Sequence, residues 1–206
     1  MSNFLAPWTV LGSEKIFVEP PIFSIDRQRC QQDATKKEGN FYVIHCPEWV
    51  QVIPVTVEGK ILLVQQYRFG SRRFSLEAPG GIAEAGETVH GAAGRELLEE
   101  TGYAAGSLRT VAVLRPNSAL QDNCLHVVFA EECKKISSQN LDPFEEISVG
   151  EYAFDEVYGK IQSGEIDHAL AIASLLLARS AVATAVERTL LRHRRDAVRP
   201  FSGTIC

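Results

Sequence analysis

Three glutamates in one short stretch, Glu96, Glu99 and Glu100, are the residues of this sequence best placed to do chemistry. They stand at i, i+3 and i+4, so a helix through them puts all three carboxylates on one face. Like charges at that spacing oppose helix formation by roughly 0.2–0.5 kcal/mol per pair. A solvated acidic face is the ordinary fate of a Glu-Glu pair. Three carboxylates gathered together are easier to rationalise when a divalent cation neutralises them, because hard cations take oxygen ligands.

The flanking residues supply the helix. Thr88 is suited to the N-cap and Gly102 to the position after the C-terminus. With Glu96 at the front of a helical wheel, Gly94 and Leu98 fall on the back, with Gly91 nearby. Each internal glycine costs roughly 1 kcal/mol relative to alanine. Close packing of the helix back against a sheet would explain that cost and leave the front free for metal. Gly80, Gly81 and Gly86 ahead of the helix fit a tight loop whose carbonyls can turn inward.

The complete pattern is Gly81, five residues, Glu87, seven residues, then Arg95-Glu96-Leu97-Leu98-Glu99-Glu100-Thr101-Gly102-Tyr103. It matches the Nudix box of the Nudix hydrolase superfamily position for position, and so many fixed positions make the match specific. The box covers residues 81–103. Weaker similarity, from Trp8 to Leu177, resembles the nucleoside diphosphate-sugar and ADP-ribose pyrophosphatase branch.

That resemblance implies hydrolysis of a diphosphate, in which charge on the phosphate oxygens is offset and a water is aimed in line. Mg²⁺ or Mn²⁺ held by carboxylates does the first task. Glu96 and Glu100 are the first choices as ligands, with Glu99 next, directly or through water. The family adds the main-chain carbonyl of the residue before the box glycine, here Gly80. Glu87 is assigned to orienting water. The box arginine orients a catalytic glutamate in the family, so Arg95 is expected to hold Glu99 or a neighbour rather than the substrate; alone it would read as a surface ion pair.

The general base is sought in the acidic segment 139–149, QNLDPFEEISV, because in this branch it often comes from a mobile loop before the last helices. Glu145 is favoured, and Glu146 and Asp142 stay open. Pro143 occupies a position that is acidic in some relatives, so the base does not transfer simply. Gln66-Tyr67-Arg68 resembles a segment of the branch, and Arg68 could fork onto a diphosphate. Glu77, in LEAPGG, is expected to face the ligand or a neighbouring loop. Pro116 resembles the proline that marks ADP-ribose enzymes. It stands 13 residues past Tyr103, closer than usual, and Asn117-Ser118-Ala119 after it is more like relatives acting on several nucleotide sugars. As a loop proline it is equally a turn residue.

A chain of 206 residues suits one domain with additions. The 45% hydrophobic fraction is enough for a full core, and a net charge of −5 gives no support to a nucleic-acid surface. Cys30, Cys46, Cys124, Cys133 and Cys206 form no CxxC pair and are odd in number. They read as reduced thiols of a cytoplasmic protein, and zinc ligation does not suit their spacing. No basic-then-apolar leader opens the sequence. The most apolar stretch, 169–186, is interrupted by Arg179 and diluted by Ser174, Ser180 and Thr184. It reads as a buried helix rather than a membrane span. The basic run from Arg192 reads as a solvated helix end, with an anionic partner as the lesser alternative.

These motifs need a frame. Residues 1–47 carry strand-like KIFVE (15–19), IFSIDRQR (22–29) and FYVIHC (41–46), a small antiparallel sheet too slight to stand alone. Residues 48–206 are expected to form the catalytic domain. Strands over 49–57 and 60–69 flank a turn at Glu58-Gly59, further strands follow, and helices begin near Val149. The sum is an α/β fold, a mixed sheet between helices, which is the α/β/α sandwich the resemblance implies. The leading functional expectation is metal-dependent hydrolysis of nucleoside diphosphate sugars to a nucleoside monophosphate and a sugar phosphate. The alternatives are a Nudix hydrolase of a nucleoside triphosphate, dinucleoside polyphosphate or coenzyme A, and a Nudix module that senses a nucleotide without turnover. A two-fold homodimer exchanging N-terminal elements is expected by resemblance.

Overall fold

The computed structural model describes residues 5–197, with side chains through Leu191. The side chains of the basic run from 192 onward, and Cys206, lie outside the described residues. The chain divides into two compact units: the first holds the chain up to Trp49 plus Leu114–Leu125, and the second holds Val50–Val113 and the chain from His126.

In the first unit β1 (Trp8–Glu19), β2 (Phe23–Gln32) and β3 (Glu38–His45) form an antiparallel meander in that order. β1 starts at Trp8, seven residues before the strand read from the sequence, and its whole length is exposed. Trp8 packs edge-on against Phe41 at 5.1 Å, and Phe17 stacks with Phe23 at 5.6 Å. The segment Leu114–Leu125 joins this sheet through a parallel bridge between Ile44 and Gln121. His45 Nδ1 lies 2.5 Å from Asp122 and its Nε2 3.4 Å from Asp26, so one ring spans two carboxylates. A sequence boundary at residue 47 does not anticipate that a segment from so far along the chain belongs here.

The second unit is an eight-stranded mixed sheet with helices. Its strands are β4 (Trp49–Thr56), β5 (Ile61–Arg68), β6 (Arg73–Glu77), β7 (Gly80–Ile82), β8 (Tyr103–Ala104), β9 (Ser107–Leu114), β10 (Leu125–Lys135) and β11 (Ile147–Tyr152). Five run in the order β11-β5-β4-β10-β8, while β6 pairs with β5, β7 with β4 and β9 with β10. The helices are α1 (Val89–Thr101), α2 (Phe154–Ser163) and α3 (Ala169–Ala197). Successive strand residues point to opposite faces, and here both faces are buried. Val52, Leu62, Val128 and Ala130 pack with Ala93 and Leu97 of α1. The alternate residues Ile53, Val55, Ile61, Leu63, Val127 and Phe129 are equally inaccessible. Such two-sided burial requires helices on both faces. On α3, the stripe Ala171, Leu175, Ala178, Val182 and Ala185 is buried at helical spacing. α3 is long and apolar enough to cross a membrane by length and composition; that stripe is instead packed within the fold. The turn at Glu58-Gly59 is present, with Thr56 Oγ1 accepting from the N–H groups of Glu58 and Lys60.

Candidate active site

Local chemistry fixes α1 at both ends. Thr88 Oγ1 accepts from Gly91 N–H at 3.0 Å. Gly102 adopts the left-handed conformation at φ 77° and donates to Leu98 O at 2.8 Å. A side chain there would strike the Ser137 carbonyl. The back of the helix differs from the sequence expectation. Ala92, Ala93 and Leu97 make the buried face, Gly91 is exposed, and a methyl on Gly94 would meet only Leu108 at 3.5 Å. The close approaches lie in the preceding loop instead. A Cβ on Gly80 would stand on the Val50 carbonyl and 2.8 Å from Gln51 Cα, and one on Gly81 would occupy the place of the Glu96 carboxylate, 2.6 Å from its Cδ. The two glycines make room for strand β4 and for Glu96.

Arg95 is the hub of the exposed side of this face. Its guanidinium forks onto Glu87 at 3.1 and 3.0 Å, donates to Glu96 Oε1 at 2.9 Å and Glu99 Oε2 at 3.0 Å, and reaches the Ile82 carbonyl at 3.0 Å. These bonds, those from Glu87 foremost, hold Arg95 firmly protonated, and they lower the Glu87 carboxyl. Burial raises Glu96, with Arg95 opposing and Glu99 and Glu145 reinforcing the rise.

Among the described residues Glu100 has no such partner in contact. It is 3% exposed, and its Oε2 accepts from Gly80 N–H at 2.9 Å. Burial is the main cause that pushes its pKa up to about 8; the Gly80 N–H and Arg68 oppose this, and the charges of Glu96 and Glu145 add to it. A carboxylate this hard to ionise beside two others fits a site that takes a divalent cation. The donor set is all oxygen, as Mg²⁺ and Mn²⁺ require. Among the described residues no three acidic, histidine or cysteine side chains converge as a ready-made cage. Glu96 and Glu99 are drawn toward Arg95 instead.

Arg68 and Glu77 form the neighbouring pair. Glu77 is fully buried and accepts from Arg68 Nε and Nη2, both at 2.8 Å. Burial alone would raise Glu77, but the Arg68 hydrogen bonds and charge, Ser75 and His168 outweigh it and leave the carboxyl lowered. Both Glu77 oxygens thus accept from Arg68, while Arg68 remains half exposed and its charge reaches Glu100 and Glu145. His168 Nδ1 stands 3.4 Å from Glu77 and within 3.3 Å of Ala171 N–H at the start of α3. Nothing in the sequence marks His168 beyond its place just before an apolar helix.

The acidic loop carries the remaining candidates. Glu145 Oε2 accepts from Asp142 N–H at 3.2 Å, and its charge is felt by Glu96, Glu100 and Arg68. Glu146 and Asp142 are exposed, and Phe144 between them is 97% exposed. The structure thus brings Gly80, Arg95, Glu96, Glu99 and Glu100 together, with Arg68, Glu77 and Glu145 within electrostatic reach.

Known proteins resemble this chain in sequence and in fold. The family model described as NUDIX domain matches residues 49–175. An ADP-ribose pyrophosphatase of Bacillus subtilis is 34% identical over 134 residues, 65% of this chain and 70% of the relative. An ADP-ribose pyrophosphatase of Mycobacterium tuberculosis is 31% identical over 129 residues, 62% of each chain. The crystal structure of an ADP compounds hydrolase superposes with a TM-score of 0.77 over 89% of this chain and 98% of its own, at 20% identity, which shows the shared fold. With the family model spanning more than half of the sequence and the box glutamates gathered on one helix, the chain belongs to the Nudix family.

Proposed function

We propose that this enzyme hydrolyses the pyrophosphate bond of nucleoside diphosphate sugars, of which ADP-ribose is one, giving a nucleoside monophosphate and a sugar phosphate. The observation that carries the reading is Glu100, buried with no cation in contact among the described residues, on the same helix as Glu96 and Glu99. The two ADP-ribose pyrophosphatase relatives support the substrate class.

Glu96, Glu99, Glu100 and the Gly80 carbonyl would hold Mg²⁺ (or Mn²⁺). When bound, the ion offsets negative charge on the phosphate oxygens. Arg68, locked in orientation by Glu77, is placed to bind a phosphate oxygen pair. Arg95 keeps Glu96 and Glu99 from drifting. In the reaction water oxygen bonds to phosphorus, the bridging P–O bond breaks, and the bridging oxygen leaves with the other phosphate. Glu145 accepts the water's proton, with Glu146 and Asp142 as the other acceptors within the loop.

Residues 1–47 are assigned to assembly of a homodimer. The exposed apolar residues Trp8, Val10, Ile16, Phe17, Val18 and Ile22 support this, because so large a bare surface needs a partner.

Purified protein incubated with a panel of nucleotide sugars and Mg²⁺ should release a monophosphate and a sugar phosphate. Excess EDTA should stop release and added Mg²⁺ restore it. Release that continues in chelator, or none from any nucleotide sugar, overturns the proposal.

A further inference from the structure

Gln139 stands where the acidic loop leaves the body of the second unit, and no role assigned so far includes it. Its Nε2 carries two hydrogens, and both are spent on main-chain carbonyls. One goes to Glu100 O at 2.5 Å and the other to Ile147 O at 3.1 Å. Glu100 lies in the last turn of α1, where carbonyls lack intrahelical partners. Ile147 opens β11 and pairs with Gln66 of β5, two residues before Arg68. The next residue, Asn140, donates its N–H to Glu99 O at 2.9 Å. One amide therefore fastens both ends of the loop to each other and to the helix that bears the carboxylate face. This is the neck of an Ω-type loop.

Among the described residues the tip has no comparable anchorage. Asp142, Phe144, Glu145 and Glu146 are all exposed, and the tip's own hydrogen bonds join Asp142 to Glu145. The place of the loop carboxylates, of which Glu145 is felt by Glu96 and Glu100, is thus set at the neck rather than by a core. We propose that Gln139 is a positioning residue, a pin that fixes the proton-accepting loop at the height of the Glu96–Glu100 face. The inference rests on the loop supplying the base, as given under Proposed function.

The chemistry selects the variants. Gln139→Glu keeps the shape and replaces two donors by acceptors, which face two carbonyl oxygens and repel them. Gln139→Ala removes the pin without adding repulsion. For Gln139→Glu, kcat on a nucleotide sugar is expected to fall by about ten-fold, with KM within about two-fold. Gln139→Ala should fall less. Hydrogen exchange supplies a readout that needs no turnover. The amides of Asn140 and Glu145 should exchange faster in both variants, and those of α1 should not change.

Unchanged loop exchange together with unchanged kcat overturns the assignment. So does a loss of kcat accompanied by an equal loss of Mg²⁺ affinity and faster exchange in α1, since that marks damage to the helix end. If the wild type turns over no nucleotide sugar, the proposed reaction fails on its own, and the exchange of loop amides still decides whether Gln139 holds the neck.

Discussion

Replacing Glu100 by glutamine separates two properties of one carboxylate. The charge that makes it a ligand is the same charge that burial opposes. In Glu100→Gln kcat should fall on the order of 100-fold, because the cation that offsets charge developing in the transition state would be held less well. A near-normal kcat would remove Glu100 from the ligand set. The same variant should melt higher than the wild type at neutral pH without metal, because folding no longer has to bury this carboxyl, which burial drives to take up a proton that the unfolded chain does not hold. Glu77 behaves in the opposite way. Its carboxyl is lowered in the fold, so its pairing with Arg68 stabilises above the ordinary carboxylate range and is lost as pH falls through the lowered value. Glu77→Gln should cost about 2 kcal/mol at neutral pH, and its deficit against wild type should narrow as the pH drops below the usual 4.5. A deficit constant from pH 7 to pH 3 in urea titrations would show that the ionised pair is not what matters.

At the scale of elements, glycine positions give paired expectations on α1. Gly102→Ala must hold φ near 77° and meet the Ser137 carbonyl, so it should destabilise by more than about 1 kcal/mol. Gly94→Ala meets ordinary contact with Leu108 and removes backbone freedom from a helix interior, so it should stabilise by roughly 0.5–1 kcal/mol. Thermal melts of the two variants that move in the same direction would contradict this. The caps Thr88 and Gly102 were legible in the sequence because capping is local, and so were the strand-turn-strand at Glu58-Gly59 and the Glu96/Glu99/Glu100 face. The packing of the helix back was not, because which glycine meets a neighbour depends on the strand that arrives there. Gln139, His168 and the Arg68–Glu77 pairing were also beyond reach. Each joins residues whose proximity is set by sheet order, which no local spacing encodes.

For the whole molecule the test is assembly. The proposed homodimer should elute, with light scattering, at twice the 22.7 kDa of one chain. A monomer at micromolar concentration would count against it. Removing residues 1–40 takes away β1 and β2 and should abolish pairing. A truncated protein that stays dimeric would mean that the N-terminal sheet is not the interface.

The parallel bridge between Ile44 and Gln121 has a topological consequence. The chain leaves the first unit after Trp49, returns at Leu114 and leaves again after Leu125, so three covalent passages link the two units. A single protease nick near Glu48 severs one of them. The other two still tether Leu114–Leu125, which holds Ile44 through its N–H bond to Leu120 O at 2.7 Å. Nicked protein should therefore migrate on a native gel with its fragments together and come apart only in denaturant. Each unit is an insertion in the other's sequence, and neither can be lifted out by one cut.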